Sequence, residues 1–173
     1  MKEASLNTAS GIRGDSDVPP KHIVVLGVGN LLLSDEGVGV HVANRLMEMD
    51  LPDGVEVIEG GTDGFQLMNV VTEADRLIVV DALKGGNPPG SIYRLDINDA
   101  PRSADLFKTS VHQIGILEVI HLAELVGQTP ETTVIGVEPK CLEVGMELSP
   151  EIQTKIPRVI ELVLREIKRP ASG

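Results

Sequence analysis

Two carboxylates and one imidazole are the side chains of this sequence best suited to chemistry. Glu36 follows a glycine-containing turn, Asp81 comes directly after the apolar run 77–80, and His112 lies in the first turn of a predicted helix. Since parallel sheets present their ligands just beyond the carboxyl ends of strands, we expect the three side chains to meet at one sheet edge. Two oxygen donors and one imidazole make an incomplete coordination sphere for a first-row divalent ion. The trio therefore predicts a metal-contacting site with positions open to another ligand.

Helix starts at Glu36 and His112 favour the chemical forms that a metal needs. The positive end of a helix dipole stabilises a carboxylate and disfavours an imidazolium, so we expect an ionised Glu36 and a neutral His112. The other histidines, His22, His41 and His121, are expected at surface or helix-face positions.

Strand and helix signals alternate along the chain from residue 22. Short β-branched runs predict strands at 23–26, 54–58, 77–80, 91–95 and 132–137. Apolar residues at helical spacing predict helices at 35–49, 65–71 and 110–126. A C-terminal helix is predicted to start at Ser149-Pro150, to bend at Pro157 and to end at 167. The strand 91–95 is expected to pair antiparallel with 77–80. This order predicts a three-layer α/β/α sandwich on a mostly parallel, roughly five-stranded sheet with one antiparallel strand.

Composition divides the chain into one domain and two short ends. Residues 1–21 are rich in Ser, Asp, Gly and Pro and show no periodic apolar face, so a flexible extension is expected there. Residues 22–168 are predicted to form a single α/β domain, followed by a short tail at 169–173.

The charge balance argues against several classes of partner. Fifteen Lys and Arg against 26 Asp and Glu leave a formal net charge of −11, which repels nucleic acid phosphate and anionic lipid. We therefore expect neither nucleic acid nor membrane as a partner. Cys141 is the single cysteine, so a disulfide framework and a thiolate metal cage are excluded. It lacks an activating neighbour in sequence and is expected to be unreactive.

The Gly27-Val28-Gly29 turn is a weak match to a dinucleotide-binding fingerprint. Leu32 stands where the third glycine would be, and the carboxylates of Asp35 and Glu36 would repel pyrophosphate. A tight turn with close packing is the preferred interpretation of both glycines.

Several separated motifs together resemble the hydrogenase maturation endopeptidases. They occur in the family's order at residues 27–37 (GVGNLLLSDEG), 59–62 (EGGT), 79–82 (VVDA), 110–113 (SVHQ), 136–139 (GVEP) and 148–150 (LSP), and the resemblance extends from His22 to about Ile167. Members of the family are cytoplasmic proteases that remove a short C-terminal peptide from the large-subunit precursor of nickel–iron hydrogenases. The resemblance thus implies a hydrolase with that precursor as its partner, located in the cytoplasm.

The resemblance also implies roles for particular residues. Metal contacts map onto Glu36, Asp81 and His112, and the segment linked to substrate recognition maps onto Glu59, Gly60, Gly61 and Thr62, with Glu59 where the family commonly has Asp. The nickel is supplied by the precursor, so no tightly bound cofactor of the protease's own is expected. A monomer is expected.

The residues leave the mechanism and two other functions open. Hydrolysis could use a metal-polarised water or a carboxylate as general base, with Glu36 and Asp81 as the candidates. The same trio would also suit a docking module that senses metal without cleaving. A Rossmann-like nucleotide-binding protein is the third possibility.

Overall fold

A five-stranded mixed sheet forms the centre of the protein. The computed structural model describes residues 22–61, 67–97, 120–127 and 129–170. The strands are β1 (Ile23–Val28), β2 (Val55–Gly61), β3 (Arg76–Ala82), β4 (Ile92–Asp96) and β5 (Glu131–Val137). Their order in the sheet is β2-β1-β3-β5-β4, with β4 antiparallel to β5 and every other pair parallel. The predicted sheet, with one antiparallel strand, is confirmed.

The expected pairing of β4 with the 77–80 strand is wrong. That strand, β3, pairs with β1 on one side and with β5 on the other, and β4 lies beyond β5, with Tyr93 opposite Gly136. Burial explains the arrangement, because six of the seven residues of β5 are buried whereas β4 is half-exposed along its length. The strand that is apolar on both faces takes the central position, and the more polar strand takes the edge.

Helices cover both faces of the sheet and complete the predicted three layers. A 3-10 helix (Ser34–Gly37) leads into α1 (Val38–Met47), and α2 covers Met68–Glu73. A short helix (Pro150–Gln153) precedes the C-terminal helix (Ile156–Lys168), and residues 120–125 are also helical. The helix α1 and the C-terminal helix pack on one face of the sheet, whereas α2 and residues 120–125 pack on the other.

Proline separates what the sequence predicts as one bent C-terminal helix into two helices. Pro157 lies in the first turn of the C-terminal helix, where its missing N–H costs nothing. Inside a continuous helix it would lack the bond to the carbonyl of Gln153 and clash with that group. The chain therefore ends one helix at Gln153 and begins the next at Ile156. Similarly, the predicted helix 35–49 starts as a 3-10 turn, and only Val38–Met47 is α-helical.

Some expectations fall on residues outside the described ranges. These are the extension over residues 1–21, Thr62, residues 65–66 of the predicted helix 65–71, the helix start that carries His112, and residues 171–173 of the predicted tail. Across the described residues, no helix combines the length and the apolar composition that a membrane span requires.

Candidate active site

Three glycines bring the 3-10 helix that carries Glu36 against the ends of β1 and β3. A Cβ added to Gly39 would lie 2.1 Å from the carbonyl oxygen of Val80, and one added to Gly27 would lie 2.2 Å from that of Gly39. Gly29 has φ +146°, and a Cβ there would lie 2.0 Å from the carbonyl oxygen of Glu36. Such approaches are possible only without a side chain. Close packing therefore accounts for Gly27 and Gly29, as the sequence interpretation expects.

Asp81 lies at the carboxyl end of β3, one strand away from the turn that leads to Glu36. Its side chain is buried with 1% exposure, and Oδ1 accepts a hydrogen bond of 2.8 Å from the backbone N–H of Ala82. Glu36 is half-buried, and its 3-10 helix packs against β3. Two members of the predicted trio therefore lie at the same sheet edge, Asp81 deep in the fold and Glu36 within reach of solvent.

His112, the third member, lies outside the described residues, but the end of its predicted helix is described. Residues 120–125 are helical, and Gly127 follows with φ +80° and donates its N–H to the carbonyl of Glu124 at 3.0 Å. This confirms the C-terminal part of that helix and its glycine cap. Ile120 packs with Val79, and alternation along β3 places Asp81 on the same face of the sheet as Val79.

Metal-binding groups of three or more His, Cys, Asp or Glu side chains do not occur within the described ranges. The predicted trio contributes only Glu36 and Asp81 to those ranges, since His112 falls outside them. Of the predicted trio, the described residues therefore provide the two carboxylates, which lie at one edge of the sheet.

The segment predicted for substrate recognition ends at this same edge. In the β1–β2 pairing, Gly27 is opposite Glu59 and Val28 is opposite Gly61, so Gly60 is the extra residue of a β-bulge. Gly60 is buried, and a Cβ there would lie 2.7 Å from Cδ1 of Leu26, whereas Glu59 is exposed. The bulge changes the direction of the chain at the end of β2, and the Glu59 carboxylate is exposed to solvent there.

Asp35 has a structural role that sequence reasoning missed. Its side chain is fully buried, and Oδ2 accepts hydrogen bonds from the backbone N–H groups of Lys140 (2.9 Å) and Cys141 (2.8 Å). Ser149 donates its N–H to Oδ1 at 2.7 Å and its hydroxyl to Oδ2 at 2.8 Å. The Ser149 hydroxyl is therefore bound to Asp35 and does not cap the helix that follows it. Four donors converge on one carboxylate and fasten the 140–149 segment to the turn that carries Glu36.

A sequence signal for this role was present in the helical spacing. Val38, Val42 and Leu46 form the buried stripe of α1, and Asp35 continues that stripe one turn earlier, whereas Glu36 does not. An acid on the buried side of a helix start is expected to accept hydrogen bonds from distant backbone. The two adjacent carboxylates therefore have different roles: Asp35 is buried and binds the 140–149 segment, whereas Glu36 is half-buried and accessible to solvent.

Glu138 holds the turn that follows Asp81. It is 7% exposed, and Oε2 accepts hydrogen bonds from the N–H of Gly85 (2.7 Å) and from the hydroxyl of Tyr93 (2.5 Å). Burial and this bond to Glu138 raise the pKa of Tyr93. Glu138 therefore connects the end of β5 to the turn between β3 and β4. Cys141, by contrast, enters the described network through its backbone, which exchanges hydrogen bonds with Asp35.

Comparison with known proteins identifies the class. A family model described as hydrogenase maturation protease (HycI) matches residues 40–166. The Hydrogenase 2 maturation protease of Escherichia coli K12 is 37% identical over 151 residues, covering 84% of this chain and 90% of that protein. The hydrogenase expression/formation protein HupD of Rhizobium leguminosarum bv. viciae is 38% identical over 153 residues, covering 87% and 76%.

Solved structures agree with the sequence relatives. The hydrogenase maturating endopeptidase HybD from E. coli superposes with a TM-score of 0.78 at 36% identity, covering 85% of this chain and 92% of that chain. The α/β fold and these relatives define a peptidase, and hence a hydrolase. The chain belongs to the hydrogenase maturation protease family. The resemblance drawn from the sequence motifs is confirmed, and with it the enzyme class.

Proposed function

We propose that the protein removes a C-terminal peptide from the large-subunit precursor of a nickel–iron hydrogenase once nickel has been inserted. The nickel in the precursor is contacted by Glu36, Asp81 and His112. The observation that supports this proposal most is the placement of Glu36 and Asp81 at one sheet edge in a chain of the maturation protease family.

The two described carboxylates can bind one cation from different sides, Asp81 from the interior of the fold and Glu36 from the solvent. Asp81 is buried, and the N–H of Ala82 orients its Oδ1, so a metal meets a preorganised oxygen donor there. Attraction between opposite charges is stronger in such a low-dielectric setting than in water. Glu36 supplies a second oxygen from the solvent side, and a neutral His112 would add a nitrogen. Three donors leave positions for the ligands that the precursor itself provides.

Cleavage is an ordinary amide hydrolysis. Water adds to the carbonyl carbon of the scissile bond, the C–N bond breaks, and the nitrogen leaves with a proton. Glu36 is half-buried and reachable by water, which suits it to the role of general base. Polarisation of that water by the nickel is the second route. In either route the metal positions the bond before it is cut, so nickel insertion becomes a condition for processing.

Recognition of the precursor extends to the end of β2. We assign this part to Glu59, Gly60, Gly61 and Thr62, because the bulge at Gly60 leaves the Glu59 carboxylate exposed beside the site. We further propose that the protease acts as a monomer in the cytoplasm and carries no tightly bound cofactor of its own.

Substitution of the trio tests the assignment. Glu36→Gln, Asp81→Asn and His112→Ala should each lower the rate of precursor cleavage by at least about a hundredfold while the protein stays folded. Glu48→Gln, at an exposed position just after α1, is the matched control and should process the precursor at the wild-type rate. The measurement is the mass of the large subunit over time, with circular dichroism of each variant. A folded His112→Ala variant of normal rate would remove His112 from the site.

A further inference from the structure

A groove of about 250 Å³ lies between α1 and the segment that follows the Asp35 network. Its walls include His41 and Arg45 from α1, Met146 and Leu148 from the preceding loop, and Gln153 and Ile156. We call it the His41 groove. The chemistry proposed for Glu36 and Asp81 does not use it, since neither residue lines it.

The groove combines apolar and polar walls, and one of its lining residues, His41, has a hydrogen-bonding atom without a partner among the described residues. Leu148 and Ile156 are its aliphatic wall residues; Leu148 is half-buried, and Ile156 is 4% exposed and belongs to the core beneath the groove. Nε2 of His41 is buried and has no hydrogen-bond partner among the described residues. A buried polar atom without a partner costs free energy that a ligand can recover by supplying one. The occupant therefore carries an apolar side chain and a backbone-like donor or acceptor, which are the features of a peptide.

An exposed apolar rim leads from the groove towards Glu36. Leu32, Val144 and Met146 are 59%, 89% and 66% exposed. Leu32 accepts a hydrogen bond from the N–H of Gly145 at 2.9 Å, which joins the two sides of the rim. Exposed apolar side chains grouped in this way mark binding surfaces.

The distance from Glu36 to the groove suits a short stretch of extended chain. Glu36 and His41 are five positions apart in the sequence, which corresponds to a rise of about 8 Å along the axis of the 3-10 and α-helical turns. An extended peptide covers about 3.3 Å per residue, so two or three residues bridge that distance. A chain cut beside Glu36 can therefore place a neighbouring side chain in the groove.

The charges on the loop that carries Val144 and Met146 indicate which residue type lies next to the apolar side chain of the bound peptide. Glu143 and Glu147 are exposed and flank the rim residues Val144 and Met146, in a chain of net charge −11. Among the described residues, Arg45 is the one lysine or arginine that lines the groove, and Glu147 also lines it. An apolar residue next to a lysine or arginine meets both the apolar rim and the acidic loop.

We propose that the His41 groove and its rim bind an extended segment of the protein substrate two or three residues from the scissile bond, with an apolar side chain next to a basic one. This proposal rests on the proposed function, because the segment belongs to the precursor that the site cleaves.

Steady-state cleavage of the nickel-loaded precursor tests it. The double variant Val144→Ser/Met146→Ser should raise KM about tenfold and leave kcat unchanged, because the rim binds the segment equally before and during the reaction. His41→Leu should raise KM severalfold. The matched control is Leu125→Ser/Val126→Ser, whose side chains are 70% and 68% exposed at the end of the helical residues on the opposite sheet face. It should leave both constants unchanged.

Equal KM values for the rim variant and the control would overturn the proposal. The proposal would also be overturned if the wild-type protein sedimented as a dimer, the rim variant sedimented as a monomer, and the two had the same KM. A second copy of the protein would then be the occupant of the rim. The rim residues are exposed, so this variant stands even if His41→Leu unfolds. If wild type cleaves no precursor, the proposed function fails separately. Calorimetric binding of precursor to wild type and rim variant then decides, and equal affinities refute the groove.

Discussion

Replacing Asp35 by asparagine tests the idea that one buried carboxylate holds the 140–149 segment in place. Asparagine keeps the size of the side chain but removes the charge and turns one acceptor oxygen into a donor. Its best orientation keeps the amide oxygen facing the N–H groups of Lys140 and Cys141 and the Ser149 hydroxyl. The amide NH₂ then faces the N–H of Ser149, where the native distance is 2.7 Å.

The size of the effect follows from these contacts. Hydrogen bonds to a charged group contribute about 1.5–3 kcal/mol and neutral ones about 1 kcal/mol, and a buried donor left unpaired costs about 1–3 kcal/mol. We expect Asp35→Asn to lower the free energy of unfolding by about 3–5 kcal/mol, a large part of the roughly 5–15 kcal/mol typical of a domain. Ser149→Ala removes only the hydroxyl, which is one hydrogen bond to the charged carboxylate, and should cost about 1.5–3 kcal/mol.

Urea unfolding at pH 7, followed by circular dichroism, measures these differences. Asp50→Asn, an exposed position with the same chemical change, is the control and should lie within about 0.5 kcal/mol of wild type. An Asp35→Asn variant that loses no more stability than Ser149→Ala would refute the reasoning, since the charge and the other donors would then contribute nothing.

Two further stability predictions concern Gly39 and Glu166. Gly39→Ala places a Cβ 2.1 Å from the Val80 carbonyl oxygen and should cost more than about 3 kcal/mol or prevent folding, whereas Asn44→Ala on the exposed side of α1 should be nearly neutral in thermal unfolding. Matching melting temperatures for the two variants would contradict the close packing. For Glu166, the hydrogen bond from Arg94 holds the carboxyl pKa below its ordinary 4.5, so its stabilisation is present above that pH and is lost as the pH falls through the folded-state pKa. Glu166→Gln should therefore be less stable than wild type by about 1–3 kcal/mol at pH 7 and by less at pH 3, and a deficit that does not change with pH would exclude the ion pair as its cause.

Most of the fold follows from short-range patterns in the sequence. Runs such as Ile23–Val28 are apolar on both faces, and only the interior of a covered sheet accommodates such strands. The sequence did not predict which strand pairs with β4. The alternation of residues in β4 suits pairing with either β3 or β5, and the choice depends on the position of β5 in the sheet. Pro157 predicts an interruption of the C-terminal helix, but whether the helix bends or breaks there depends on tertiary packing.

The site was predictable to a different degree for each residue. Asp81 was identified because a polar residue directly after a buried strand falls at the ligand-binding edge of a parallel sheet. Glu36 was identified from its motif and its helix start, while the adjacent Asp35 was not assigned its own role. The helical spacing places Asp35 on the buried side of its helix, but its donors Lys140, Cys141 and Ser149 are more than a hundred residues away, so that spacing does not indicate which groups it binds. The groove at His41 depends on the same long-range contact.

Nickel-dependent cleavage is the most direct test of the central claim. Purified protein is incubated with a nickel–iron hydrogenase large-subunit precursor in nickel-loaded and nickel-free forms, and the mass of the large subunit is measured. We expect the loss of a C-terminal peptide from the nickel-loaded precursor alone. Equal cleavage of both forms would contradict recognition of the metal by Glu36, Asp81 and His112.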